Sequence, residues 1–327
     1  MSMLTKSLEH KKLTTDQTNE NHNEFVNQFI SKRIAEIKLS GTSLIVTLFG
    51  DLVTQHDHWI SLSSIIKALA PLGINDRLVR TSVYRLVQND WLTREKIKKN
   101  TYYSFTEMAK RHYDKAAKRI YSTDHPEWDG SWLIVLPVFV PDDKKDALYK
   151  ELAWLGFSTL NTGVWAHPSI EKESLDDTLK QLELLDAVIV FNGNTYQEHS
   201  QNTLKTLVEN SWNIESLANQ YQAILTTYQP ILARLKQEKS SMQQAFLLRT
   251  LFIHEFRRVL IKDHELPSSM LPKAWPGIAT MKLAEELYHQ LSSDSINYVT
   301  SHLTNADGFL PPTSGTFNLR FAKISNR

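Results

Sequence analysis

The chain of 327 residues contains no cysteine. Disulfides, thiolate metal sites and cysteine nucleophiles are therefore excluded, and a cytoplasmic home is permitted. No stretch approaches the roughly 18 uninterrupted apolar residues of a membrane-spanning helix. A Walker-type phosphate loop, a dinucleotide fingerprint and a convincing Ser–His–Asp arrangement are all missing. The first 28 residues, "MSMLTKSLEHKKLTTDQTNENHNEFVNQ", are polar and lack an apolar targeting core. They read as a flexible tail. The 41% hydrophobic content that remains is enough for two or three cored domains.

The net charge of +1 hides an asymmetry. Residues 29–121 hold sixteen Lys and Arg against eight Asp and Glu, whereas residues 122–327 hold eighteen against twenty-four. A basic module precedes an acidic body, which points to a polyanionic partner for the front alone.

Within the basic module, "SGTSLIVTLFGDLV" at 40–53 suits a helix buried on most sides. "SLSSIIKALAPLG" at 61–73 suits a short helix capped by Ser61 and ended by Pro71 and Gly73. The next helix starts at Asn75, so "APLGIN" joins two helices at helix-turn-helix spacing. In "NDRLVRTSVYRL", Val79, Val83, Leu86 and Val87 recur at helical spacing and form the inward face. Arg77, Arg80, Thr81 and Tyr84 fall opposite, with Ser82 and Arg85 at the margins. Arginine can bridge two acceptors on guanine, and marginal residues suit phosphate contacts. "WLTREKIKKNTYYSF" at 91–105 reads as a hairpin with a basic turn, placing Lys96, Lys98 and Lys99 beside a phosphate backbone or in a minor groove. Helix, turn, basic helix and basic hairpin together predict a winged helix that binds double-stranded DNA. A basic helix, "TEMAKRHYDKAAKRIYS", follows, either as a further DNA contact or, the preferred reading, as a link to the body.

The body starts with strand, helix, strand, helix, strand over residues 125–193, a small α/β domain of split βαβ type if "FSTLNTGVWAHP" supplies two strands. From about residue 202 the chain reads as helical, with two helices broken near Pro230 and the longest helix at 241–263.

"SLIVTLFGDLV", "PLGINDRLVRTSVYRLVQNDWLT", "YYSFT", "WDGSWLIVLP", "GFSTLNTGVWAHP" and "LLRTLFIHEFRRVLIKDHELPSSMLPKAWPG" occur in this order over residues 40–278. In this the chain resembles the PaaX-type repressors of phenylacetic acid degradation. The resemblance implies an α+β multidomain fold: an N-terminal winged helix-turn-helix, a middle Cas2-like, ferredoxin-like α/β domain and a C-terminal helical domain for dimerisation and effector response. The corresponding divisions are a tail at 1–28, the winged helix and linker helix at 29–122, the α/β domain at 123–198 and the helical domain at 199–327. It also implies a homodimeric, cytoplasmic, nucleoid-associated repressor of phenylacetate catabolism genes that binds operator DNA and is released by phenylacetyl-CoA, an effector rather than a cofactor. The winged-helix motif falls on Arg77, Arg80, Thr81, Ser82, Tyr84 and Arg85. Two departures stand out: Tyr84 where phenylalanine is expected, and Asp76 where glutamate is common.

For the effector, "HEFRR" at 254–258 offers either an internal salt-bridge network or an anion pocket. In the second case His254, Arg257, Arg258 and the nearby Arg249 face the CoA phosphates, and Trp165 and Trp275 line an aryl pocket. A metal-dependent nuclease of Cas2 type is the enzymatic alternative, and a non-specific nucleoid protein the other. The first strand core, "WLIVLP", carries no carboxylate; Asp129, Asp142 and Asp143 lie outside it. "HDH" at 56–58 lacks further ligands nearby. The chain is therefore expected to be neither an enzyme nor a metal protein.

Overall fold

The computed structural model describes residues 23–121, 128–168, 172–195 and 201–321. Helix α1 covers residues 23–36. Helix α2, Gly41–Asp51, is capped by Ser40, and β1, Trp59–Ser61, leads into α3, Leu62–Leu69, capped by Ser61. A 3-10 turn over Ala70–Leu72 ends at Gly73, whose left-handed φ of 80° reverses the chain into α4, Asp76–Gln88. Strands β2, Leu92–Ile97, and β3, Asn100–Phe105, form the wing, and α5, Glu107–Tyr121, follows. β1 pairs antiparallel with β3 and completes a three-stranded sheet of order β1-β3-β2. A three-residue strand without its own hydrophobic period leaves no trace in the sequence, and β1 was not foreseen.

The next segment alternates β4 (Ser131–Pro137), α6 (Asp142–Trp154), β5 (Ser158–Asn161), β6 (Val164–Pro168), α7 (Lys172–Gln181) and β7 (Val188–Asn194). The strands lie in the antiparallel order β5-β6-β4-β7, the split βαβ arrangement. "FSTLNTGVWAHP" does supply two strands, joined through Gly163 at φ 77°. Because strand side chains alternate, β4 feeds two cores. Leu133 and Val135 pack with Leu148, Leu152, Leu175 and Leu179 of α6 and α7. Trp132 packs on the other face with Trp212, Ile214 and Leu266.

Helices α8 (Gln201–Ser211), α9 (Ile214–Leu235), α10 (Met242–Leu260) and α11 (Pro276–His302) make up the rest. The break expected near Pro230 is not there: α9 runs through it, and the chain bends instead at Asn213, with φ 48°. Proline removes one helical hydrogen bond, at a cost of about 3 kcal/mol. Burial of Tyr228, Ile231, Leu232 and Leu235 around it outweighs that cost. The longest helix is α11 with 27 residues, not the segment at 241–263.

Two further expectations are corrected. Residues 23–28, assigned to the tail, belong to α1; Val26 is fully buried, and Gln244 Nε2 donates to the Asn23 carbonyl at 2.9 Å. The apolar stripe Val26, Phe29, Ile30 straddles the expected boundary and is hidden by polar neighbours. Residues 1–22 lie outside the described residues. The helical segment from 199 onward is also not one compact body. Residues 224–257 and 280–321 fold with the winged helix, whereas 201–223 and 258–279 fold with the α/β segment. The pairings that divide it, such as Asp51 with Arg249, join residues 198 positions apart.

Candidate nucleic-acid interface

Helix α4 starts at Asn75, whose side-chain oxygen accepts from the Leu78 N–H at 2.9 Å. Val79, Val83 and Leu86 are buried beneath it. Arg77, Arg80, Thr81, Tyr84 and Arg85 are exposed on the opposite side. Tyr84 is 62% exposed, a large aromatic surface left to solvent on a helix with a well-packed inner face. Thr81 Oγ1 donates to the Arg77 carbonyl at 2.9 Å, so its hydroxyl is engaged along the helix and its methyl is left for an outside contact. Asp76 pairs with Arg80, Oδ1 lying 2.6 Å from Nε.

Ser82 departs from the expected margin: it is buried. Helix α2 approaches so closely there that a Cβ on Gly41 would lie 2.5 Å from Ser82 Oγ. The glycine lets the two helices touch, and this packing takes Ser82 away from any ligand.

The wing pairs in register from Leu92 with Phe105 to Ile97 with Asn100. Its two-residue tip, Lys98 and Lys99, turns with Lys98 in the left-handed region at φ 56°. Lys96, Lys98 and Lys99 are exposed. Burial raises the Tyr103 hydroxyl above its ordinary pKa while the charges of Arg94 and Arg80 draw it down. The field of both guanidinium groups thus reaches one phenol on β3, where Tyr103 stands opposite Arg94 in the register of the wing. Exposed Arg94, two residues before Lys96 on the same strand face, and Gln88, one turn beyond Tyr84, were missed. Helical and strand periods alone would have found both. The ensemble is a cationic surface with one aromatic ring and adjacent hydrogen-bonding groups, suited to phosphates and base edges.

Family models for the PaaX-like protein match residues 40–109, for the PaaX protein central Cas2-like domain residues 125–205, and for the PaaX-like protein C-terminal domain residues 212–301. The chain belongs to the PaaX family. Its three-part organisation is that of the family: a winged helix, a central Cas2-like α/β domain and a helical C-terminal part. The chain is 29% identical over 299 residues to the Transcriptional repressor PaaX of Escherichia coli (strain K12), covering 91% of this chain and 95% of that protein. Among solved structures, the Uncharacterized protein Rv0674 from Mycobacterium tuberculosis is similar with a TM-score of 0.47 and 17% identity, over 79% of this chain and 99% of that one. That likeness is too distant to carry an argument.

The residues expected at an effector of this PaaX-family chain are divided between two compact units, Arg249, His254 and Arg257 in one and Trp165, Arg258 and Trp275 in the other. Arg249 is completely buried: Nε donates to Asp51 Oδ2 at 2.8 Å and Nη2 to Tyr288 Oη at 2.8 Å. His254 Nδ1 lies 3.1 Å from Thr47 Oγ1, and Arg257 Nη2 donates to the Ser43 carbonyl at 3.2 Å. Ser43, Thr47 and Asp51 are spaced four apart on α2, so α10 lays Arg257, His254 and Arg249 along one polar stripe of the winged helix. Of the two alternatives for "HEFRR", an internal network describes these three. Arg258 is exposed. Trp165 stacks on Tyr149 at 5.2 Å between ring centres, and Trp275 meets Tyr221 edge-on at 5.6 Å.

Among the described residues, no group of three or more His, Cys, Asp or Glu side chains is placed to hold a metal ion. His56 is buried and its Nδ1 donates to the Pro311 carbonyl at 2.6 Å. Asp129 accepts from the Ser131 N–H at 2.8 Å, and Asp142 pairs with Lys145 at 2.7 Å. No helix of the described residues is long and apolar enough to cross a membrane.

Proposed function

We propose that the chain is a cytoplasmic, nucleoid-associated repressor that binds double-stranded operator DNA as a homodimer and releases it when phenylacetyl-CoA binds. The exposed face of Arg77, Arg80, Thr81 and Tyr84 beside a lysine-tipped wing carries the reading. The likeness to the Escherichia coli repressor along nearly its whole length supports repression as the outcome.

Strand β7 supports the homodimer. It is an edge of its sheet, and Ile189, Val190 and Phe191 on it are exposed, as is Phe139 at 77%. An unpaired apolar edge invites another strand. Antiparallel pairing with the same edge of a second copy is self-complementary about a two-fold axis, the symmetry of a palindromic operator. Replacing Phe191 by Lys is expected to shift the sedimenting species from dimer to monomer.

For the effector, the burial of Arg249 and the helix-bound partners of His254 and Arg257 leave Arg258 as the cation open to a phosphate; Trp165 and Trp275 pack on opposite faces of the α/β sheet, so one of them, not both, would face the aryl group. The DNA-incompetent state must bind the thioester better than the competent state does, since equal affinity shifts nothing. Titrating the full chain bound to labelled DNA from its own promoter tests this. Phenylacetyl-CoA is expected to release the DNA at concentrations where free phenylacetate does not. Equal potency of the two, or no release by the thioester, contradicts the proposal.

A further inference from the structure

We propose that Asp76 is a positioning residue for base recognition: it holds the Arg80 guanidinium side-on and leaves its end-on edge to read a guanine. The proposal rests on the assignment of this face to DNA and adds a residue that reads no base itself.

A guanidinium has two edges that can each make paired hydrogen bonds, one of Nε with Nη2 and one of Nη1 with Nη2. Asp76 takes the first. Its Oδ1 lies 2.6 Å from Nε, and its Oδ2 accepts from Nη2 at 3.3 Å. The second edge has no role in that pair, and the Arg80 side chain remains 57% exposed. The fork it offers matches the O6 and N7 acceptors of guanine in the major groove.

As the acidic residue in the first turn of α4, Asp76 also favours the helix dipole by about 0.3–1 kcal/mol, a duty that any first-turn carboxylate serves without gripping Arg80. The cap of α4 is Asn75, whose side chain already bonds the Leu78 N–H. Exposed ion pairs contribute about 0–1 kcal/mol to stability, so the fold gains little from this one. A carboxylate on a face meant for phosphates opposes binding by its charge. What it supplies is preorganisation: an arginine side chain carries about 2 kcal/mol of rotamer entropy, and one already fixed loses less on meeting its base. The order Asp then Arg four residues on, in the first turns of a helix, also suits the pair geometrically.

Charge alone and positioning predict opposite results for Asp76→Asn. The probe is a pool of random-sequence duplexes, sequenced before and after selection on the full chain, with affinities then measured on the enriched duplex and on single-base variants. The wild type and Asp76→Glu, which keeps the carboxylate, are expected to enrich guanine at one position of each half-site. Asp76→Asn is expected to lower that guanine preference roughly 3- to 10-fold, a part of the roughly 5- to 150-fold that a whole paired guanine contact supplies. It should have no further effect on base preference when Arg80 is already alanine. Uniformly tighter binding of Asp76→Asn to every duplex, with guanine preference intact, overturns the proposal. So does an effect of Asp76 on base preference that persists in the Arg80→Ala background, which would make Asp76 a direct reader. If the wild type enriches no sequence, or Arg80→Ala changes nothing, the assignment of the face itself falls, and the proposal with it.

Discussion

Asp51 is a carboxylate with almost no exposure to solvent, shared by two arginines that arrive from far along the chain. Burial alone would raise its pKa, but Arg249 and Arg320 outweigh burial and hold it below the ordinary value. Arg320 also donates to the carbonyls of Asp51 and Gly50 at 2.5 and 3.0 Å, at the negative end of α2. The second buried cation is accommodated by rings: Arg249 lies 4.4 Å from the centre of Tyr288, and Arg320 4.2 Å from that of Tyr121. Removing one partner leaves a buried charge uncompensated, so Asp51→Asn and Arg249→Met are each expected to cost about 3–5 kcal/mol in urea unfolding, with strong non-additivity when combined. Arg249→Met should lower stability and DNA binding together; selective loss of phenylacetyl-CoA affinity would restore it to an effector pocket. His56 supplies a pH dependence. Burial lowers its pKa, so the folded chain holds it neutral while the unfolded chain takes up a proton below about pH 6.5. Its contribution is therefore neutral above that pH, and stability is lost as pH falls from there, by up to about 1.4 kcal/mol per pH unit. Thermal unfolding followed between pH 7 and 5 should show a shallower fall for His56→Gln than for the wild type, and equal slopes would clear His56 of the effect.

Elements divide by what fixes them. Helix α4 was legible because its period sorts Val79, Val83 and Leu86 from Arg77, Arg80, Thr81 and Tyr84 without outside help. The hairpin was legible from alternation and its lysine turn. Ser82 was not, because its burial depends on how closely Gly41 lets α2 approach, a property of two elements. The same close approach makes the position of α4 sensitive to α2: Gly41→Val must displace α4 or the Ser82 side chain, and is expected to weaken operator binding although Gly41 touches no DNA. The wing has a different signature. Lys98→Ala and Lys99→Ala combined should lower affinity for all duplexes alike and reduce the slope of log K against log salt by about 2, one for each phosphate that is no longer neutralised. An unchanged slope would place the wing tip away from the backbone. Helix α1 and the unbroken α9 were misread for a shared reason: local composition, polar in one and proline-bearing in the other, is overridden by burial against residues elsewhere in the chain.

At the scale of the molecule, the sequence order of three parts and the spatial grouping differ, since two stretches of the helical part fold with the winged helix and two with the α/β segment. Order is written in the motifs; grouping is written in long-range partners such as Asp51 with Arg249 and Thr47 with His254, which no local pattern announces. The exposure of the α4 face was legible and the burial of Arg249 and His254 was not, for the same reason: a surface face shows itself by period and charge, whereas polar side chains on a packed helix show neither their depth nor their partners. The central claim is that α4 reads bases and the wing holds phosphates. Competition binding of the full chain to a matched duplex and a single-base mismatch measures this most directly. Arg80→Ala and Tyr84→Ala should each reduce discrimination between the two duplexes, by about 1–3 kcal/mol where the side chain reads a base, while Lys98→Ala should weaken both duplexes equally. Unchanged affinity and selectivity in all three variants would contradict the account.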